Sequence, residues 1–180
     1  MRTETQLVAA AQAGSAEAFA DLVISYRQRL LRFLLTRCSS YADAEDALQD
    51  TLVNAFRYIG SYDPRWRFST WLYRIAIRNA AKMRTIDAVE LGDLSDEESD
   101  PLLQCISDSE SENLWAMARR LLNDEVFAAM WLRYAEDMSV KDIASALDRS
   151  ASWTKVNLLR GRRALDAEVN GAQSTSEAYG

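Results

Sequence analysis

Apolar residues recur at three- and four-residue intervals along most of this 180-residue chain, the period of one helix face. Thr5 to Ala13 reads as a short helix stopped by Gly14. Ser15 can cap a second helix to about Cys38, with Phe19, Leu22, Val23, Tyr26, Leu30, Phe33 and Leu34 on one face. Asp43 can cap a third, ending near Ile59, whose stripe is Ala47, Leu48, Leu52, Ala55 and Phe56. Gly60 and Asp63-Pro64 mark a turn. A fourth helix is expected from about Ser69 to Arg84, with Trp71, Leu72, Ile75 and Ala76 apolar.

The pattern lapses over residues 87–112 and then returns. Leu114 to Leu122 and Asp124 to about Glu136 read as helices. Ser139 with Asp142 three residues on resembles a capping box and opens a short helix to Leu147. Asp148-Arg149-Ser150 is a tight turn, and Ser150 can cap a last helix to about Glu168. The remaining tail, 169–180, reads as frayed.

A short helix, a three-residue turn and a second helix form a helix-turn-helix. At 100° per residue, Thr154, Leu158, Gly161 and Leu165 share one face of the second helix. Ser152, Trp153, Val156, Arg160 and Arg163 lie opposite, with Asn157 and Leu159 flanking. Such an inventory suits a helix that reads base edges in a major groove. An amphipathic packing helix with a basic end, favoured there by the macrodipole, accounts for the same spacing. Trp153 can touch DNA or pack against the turn.

In the N-terminal half, Arg65, Arg67, Arg74, Arg78, Lys82 and Arg84 are interleaved with Tyr62, Trp66, Phe68, Trp71 and Tyr73. Cations that track phosphates beside rings that stack on bases suit single-stranded DNA. Alternatively Trp71 and Phe68 are core and the arginines a solvated face. Tyr62 and Trp66 fall on the loop, where no core explanation is needed. Asp43, Glu45, Asp46 and Asp50 make the third helix acidic at its start. Acids in a first turn favour the dipole, but Asp50 lies two turns in, where a protein partner is expected.

Charge sharpens this picture. The net of −6 argues against nucleic-acid binding only if spread evenly. Residues 1–86 carry 12 Lys and Arg against 8 Asp and Glu, a net of +4. Residues 87–112 carry 10 acids and no base, a net of −10, and residues 113–180 carry 9 of each sign. The acidity therefore belongs to one segment, which as a one-sign block repels itself and reads as a linker. With 6 Gly and 2 Pro, long helices are allowed. Histidine is absent and Cys38 and Cys105 lie far apart, so the chain lacks the commonest general base, a zinc set and a disulfide framework. No run of 18 apolar residues or secretory h-region occurs. The expectation is a cytoplasmic, non-enzymatic protein without cofactor or membrane insertion.

Two motifs carry a resemblance. DAEDALQDTLVNAF followed by FSTWLYRIA is similar to region 2 of the extracytoplasmic-function (ECF) sigma factors, and MSVKDIASALDRSASWTKVNLLRGRRAL resembles their region 4. The similarity spans about residues 5–86 and 113–166. It implies an all-α fold: a region 2 bundle (1–86), an acidic linker (87–112), a region 4 helix-turn-helix (113–168) and the tail. It also implies an alternative sigma factor that binds core RNA polymerase, through the beta-prime clamp helices and the beta flap, and recognises and melts promoter DNA. An anti-sigma factor is an implied partner.

Residue by residue, Asp43, Asp46, Gln49 and Asp50 match the clamp-docking positions. Tyr62, Arg65, Trp66, Arg67 and Phe68, with Trp71, Arg74, Arg78 and Asn79, match those that meet the minus-ten element. Ser152, Trp153, Lys155, Val156, Asn157, Arg160 and Arg163 would meet the minus-thirty-five element. The chain departs from the family in having Arg78 where many members place Asn, Asp148 where the turn often has Gly, Thr154 for a frequent Val, and an unusually acidic linker.

That linker has a long reach to cover. As a coil, its residues average about 28 Å end to end; fully extended they span roughly 90 Å. The two elements lie roughly 85 Å apart along duplex DNA. An extended linker is expected, its carboxylates imitating nucleic acid in a basic polymerase channel. Two other classes explain less. A helix-turn-helix regulator acting without polymerase leaves the aromatic-basic loop and acidic third helix without a task. A sigma-mimicking adaptor that sequesters an anti-sigma factor would not need Arg160, Arg163 and the loop aromatics.

Overall fold

The structure, a computed structural model, describes residues 2–91 and 110–177, with side chains over 2–82 and 114–171. Among these residues the secondary structure is all helical, as expected, and the chain divides into two compact units, Met1–Gln104 and Cys105–Gly180. The expected extended linker lies outside the described residues except at its two ends, which are helical.

The first unit contains α1 (Glu4–Gln12), α2 (Ala16–Leu35), α3 (Tyr41–Tyr58), a 3-10 turn (Ile59–Ser61) and α4 (Phe68–Leu91). Thr3 and Gln6 form a reciprocal capping box on α1. Gly14 adopts φ 99, and its neighbour Ser15 returns its N–H to Ala10 O at 3.0 Å. That left-handed turn ends α1 and lets the Ser15 hydroxyl cap α2 by accepting from Ala18 N at 3.1 Å.

The cap of α3 corrects the sequence reading. It is Ser40 rather than Asp43: the Ser40 hydroxyl accepts from Asp43 N at 3.1 Å and donates to Asp43 Oδ2 at 2.6 Å. Asp43 instead occupies the first turn, where its charge favours the dipole. Leu30, Phe33, Leu34, Leu48, Phe68, Leu72 and Tyr73 are fully buried and form the centre of this unit. Every α2 residue expected on the apolar face is buried.

The second unit contains α5 (Glu110–Leu121), α6 (Asp124–Tyr134), α7 (Val140–Leu147) and α8 (Ala151–Glu177). Asn123 caps α6 and Ser139 caps α7. Asp148 ends α7 at φ 56, ψ 44. The next N–H, of Arg149, reaches back to Ala144 O at 2.9 Å, so an Asx residue does here what glycine often does. Trp115, Phe127 and Trp131 pack together, with Trp115 and Trp131 centroids 4.8 Å apart. The face predicted for α8 is the packed one: Thr154, Leu158, Gly161 and Leu165 are buried.

Helix lengths differ from expectation at two ends. α4 continues to Leu91, past Arg84, and α8 continues to Glu177, into the tail expected to be frayed. Neither segment contains proline; Ala88, Glu90 and Leu91 sustain α4, whereas α8 runs on through Asn170 and Gly171, residue types that commonly end a helix.

Candidate polymerase and promoter interfaces

The loop between the 3-10 turn and α4 is held from several sides. Gln12 in the last turn of α1 donates its carboxamide hydrogens to Ile59 O at 3.1 Å and Tyr62 O at 3.0 Å. The Tyr62 hydroxyl donates to Trp66 O at 2.5 Å. Asp63 accepts from Arg65 N at 2.9 Å and from Arg65 Nε at 2.8 Å. Trp66 N closes the turn onto Asp63 O at 3.1 Å. The Arg65 hydrogen bonds hold the Asp63 carboxyl below its usual range.

Tyr62 is therefore a core residue, contrary to the reading that its loop position needs no core explanation. It is 8% exposed, and its ring packs against Phe68 at 5.6 Å and Trp71 at 5.5 Å. Burial pushes its phenol up, with the Glu4 and Asp63 charges adding to the effect. Phe68 is also fully buried, and Trp71 is half-buried. What the loop offers outward is the half-buried Trp66, with Arg65 and Arg67 exposed. On α4, Trp71, Arg74, Arg78 and Lys82 follow one another along one side at helical spacing.

Asn79 faces elsewhere. Its amide donates to Thr51 Oγ1 at 3.2 Å, and its carbonyl accepts from Asn54 Nδ2 at 3.3 Å. Thr51, completely buried, donates its own hydroxyl hydrogen bond to Ala47 O at 2.6 Å. Asn79 thus ties α4 to α3, and the expected minus-ten role has this structural role set against it.

On α3, Asp46, Gln49 and Asp50 are exposed, while Asp43 is half-buried with Ser40. Sequence reasoning missed that Val53, 49% exposed, and Phe56, 44% exposed, continue this surface. The signal is in the sequence for Val53, an apolar residue in an otherwise polar row; Phe56, on the apolar stripe, packs its ring on Phe19 and still leaves part of it outside.

On α8, Ser152, Lys155, Val156, Arg160 and Arg163 are exposed. Leu159, expected only to flank this face, is 47% exposed beside Val156 at 45%. Trp153 is half-buried, with the Arg149 guanidinium 5.6 Å from its ring, and Arg149 pairs with Glu125 of α6. Trp153 therefore packs against the turn residue Arg149 while its half-buried ring stays partly open to solvent. Asn157 donates to Trp153 O at 2.9 Å, which turns its amide along the helix. On the other side of α8, a cavity of about 500 Å³ is lined by apolar Leu114, Met130, Tyr134, Leu165 and Val169, with Arg162 and Asp166 among the polar residues at its wall. Among the described residues, no helix is long and apolar enough to cross a membrane.

Comparison with known families decides what these surfaces belong to. Residues 22–85 match the model of sigma-70 region 2, and residues 117–165 match that of sigma-70 region 4. The ECF RNA polymerase sigma-E factor of Haemophilus influenzae is 28% identical over 93% of this chain and 95% of its own. The chain belongs to the ECF sigma factors. The RNA polymerase sigma-H factor of Pseudomonas aeruginosa is also 28% identical, over 91% of this chain and 92% of its own.

Two solved structures share the sigma-factor fold. One is CnrH in complex with the cytosolic domain of CnrY, with TM-score 0.67 at 22% identity over 92% of this chain and 96% of that one. The other is the sigma factor RpoE in complex with the anti-sigma factor NepR from Bartonella quintana, with TM-score 0.68 at 19% identity over 86% and 98%. As an ECF sigma factor, the protein is an alternative initiation factor: it binds core RNA polymerase and directs it to promoters, without being an enzyme.

Proposed function

We propose a division of labour among these surfaces. The α3 face of Asp46, Gln49 and Asp50, extended by Val53 and Phe56, docks on the polymerase clamp helices. Carboxylates steer the encounter and the two apolar side chains supply buried area. The Trp66 loop, with Arg65, Arg67, Arg74 and Arg78, takes a base from the melted minus-ten strand. Tyr62, Phe68 and Trp71 pack ring to ring and anchor the loop to the core. Ser152, Lys155, Val156, Arg160 and Arg163 read the minus-thirty-five duplex, and the apolar cavity behind α8 receives the beta flap.

The observation that carries this reading is the loop pinned by Gln12, Tyr62 and Asp63. A pinned loop presents Trp66 and its cations at little entropic cost, which a duplex-only regulator would not require. The net of 0 in residues 113–180 supports weak DNA binding by that unit alone, so polymerase must hold it in place. Factors of this kind act in the cytoplasm. We extend to this chain regulation by an anti-sigma factor, the kind of partner that NepR is to RpoE in the Bartonella quintana complex.

Run-off transcription with core polymerase on a promoter library tests the assignment. Specific transcripts that disappear on Trp66→Ala, or on Arg160→Ala, support it. Promoter binding that needs no polymerase and starts no transcript would turn the reading toward a regulator.

A further inference from the structure

Gln12 lies before the span matched by either family model, and nothing in the polymerase or promoter surfaces includes it. Yet both hydrogens of its amide are used, on two carbonyls three residues apart, at 3.1 Å to Ile59 and 3.0 Å to Tyr62. Those carbonyls bracket the entrance to the Trp66 loop. Ile59 ends the run from α3, and Tyr62 is the residue whose hydroxyl holds Trp66 O at 2.5 Å. Gln12 thus grips the same residue that grips Trp66.

The grip has a fixed foundation. α1 is seated by buried Val8 and Ala11, and Glu4 accepts a hydrogen bond from the Tyr26 hydroxyl of α2. The left-handed Gly14, φ 99, ends α1 two residues beyond Gln12. The side chain therefore leaves from a helix end that is tied to α2 as well as packed beside the 3-10 turn.

We propose that Gln12 is a positioning residue for promoter melting: through Ile59 and Tyr62 it fixes the entrance of the Trp66 loop, so that an unstacked base is met by a preformed site. This rests on the reading of that loop as the minus-ten contact. A preformed site lowers the ordering cost that strand separation must overcome, so Gln12 acts on the melting step and leaves polymerase docking through α3 alone.

The test uses full-length protein assembled with core polymerase on duplex promoter carrying 2-aminopurine in the minus-ten element. Gln12→Met keeps the length and removes both donors without adding charge. Two hydrogen bonds of ordinary net strength correspond to about a thirtyfold slower rise of fluorescence, with core affinity unchanged. On a promoter with a pre-opened minus-ten bubble, the defect should shrink. Amide exchange at residues 59–66 should quicken while that of α8 stays as it is, a signature that general destabilisation would not give.

Trp66→Ala and Arg67→Ala run alongside. Slow melting in Gln12→Met and in Trp66→Ala supports the proposal. Slow melting in Trp66→Ala but normal melting in Gln12→Met overturns the role of Gln12 and leaves the loop reading standing. Normal melting in both loop variants overturns the loop reading and the inference with it. Equal losses of core affinity and melting rate in Gln12→Met would make it a structural residue only, and would also overturn the proposal.

Discussion

Gly161 of α8 lies directly against Met130 of α6: a Cβ at Gly161 would stand 3.0 Å from Met130 Sδ and 3.3 Å from Val126 Cγ1. Glycine in a helix interior costs about 1 kcal/mol relative to alanine, so its presence is explained by the close approach. Gly161→Ala should sit near balance, since the gain in helix propensity is offset by a small shift of a flexible methionine. Gly161→Val has no such escape, because two methyl groups meet both neighbours, and overpacking of this kind costs about 1–3 kcal/mol. Thermal unfolding of the two variants checks the contrast. A Gly161→Val protein as stable as the parent would show that α8 can lift from α6 freely.

Asn79 and Arg78, adjacent in sequence, should behave differently. Asn79→Ala removes the hydrogen bonds to Thr51 and Asn54. It should lower stability by about 1–2 kcal/mol, the range for a hydrogen-bonded group partly withdrawn from water. Arg78 is exposed. If it contacts a phosphate, Arg78→Ala should leave stability unchanged, weaken promoter binding across sequences and reduce the salt slope by about 1. Denaturant unfolding and binding at several salt concentrations separate the two. A stability loss in Arg78→Ala instead would remove it from the promoter surface.

That contrast shows what the sequence could and could not reveal. The helix faces were legible because burial follows a 3.6-residue period: the stripe of α2 and the Thr154, Leu158, Gly161, Leu165 row of α8 are both packed. The side of α4 on which Asn79 lies was obscured, because its partners Thr51 and Asn54 come from another helix. Tyr62 looked like a loop residue because its neighbours are turn formers. Its burial arises when Asp63 and Trp66 close the turn and fold Phe68 and Trp71 back onto it. The Ser40 cap was overlooked because Asp43 also suits a cap, and only the backbone shows which residue precedes the first turn. The Gln12 bonds span 47 and 50 residues, beyond any local pattern.

The buried tyrosines predict an alkaline limit to stability. Burial raises the Tyr26 phenol above its ordinary value, and the hydrogen bond and charge of Glu4 add to this; Tyr62 is raised first by its own burial. A group with a raised folded pKa contributes stability fully below its unfolded pKa and loses it as pH rises through the folded one. Urea midpoints should therefore hold up to about pH 10 and fall above it. Tyr26→Phe keeps the ring that packs 5.6 Å from Phe68 and removes the titrating group, so its decline should be shallower. Identical alkaline slopes for parent and Tyr26→Phe would assign the limit to other groups.

The exposed centre of α8 gives a prediction about promoter chemistry. Val156 and Leu159 project between Ser152, Lys155, Arg160 and Arg163, at 45% and 47% exposure. In a major groove, arginine reads guanine bidentately and an apolar side chain meets the thymine methyl. Arg160→Ala should cost about 1–3 kcal/mol of promoter binding and relax the preference at one base pair. Replacing thymine by uracil in the minus-thirty-five element removes only methyl groups, so it should weaken the parent and leave a Val156→Ser, Leu159→Ser double variant nearly indifferent. Both effects need holoenzyme, because residues 113–180 carry no net charge to hold DNA alone. If uracil weakens parent and double variant alike, the methyl contact lies elsewhere, and these two side chains face the groove without reading it.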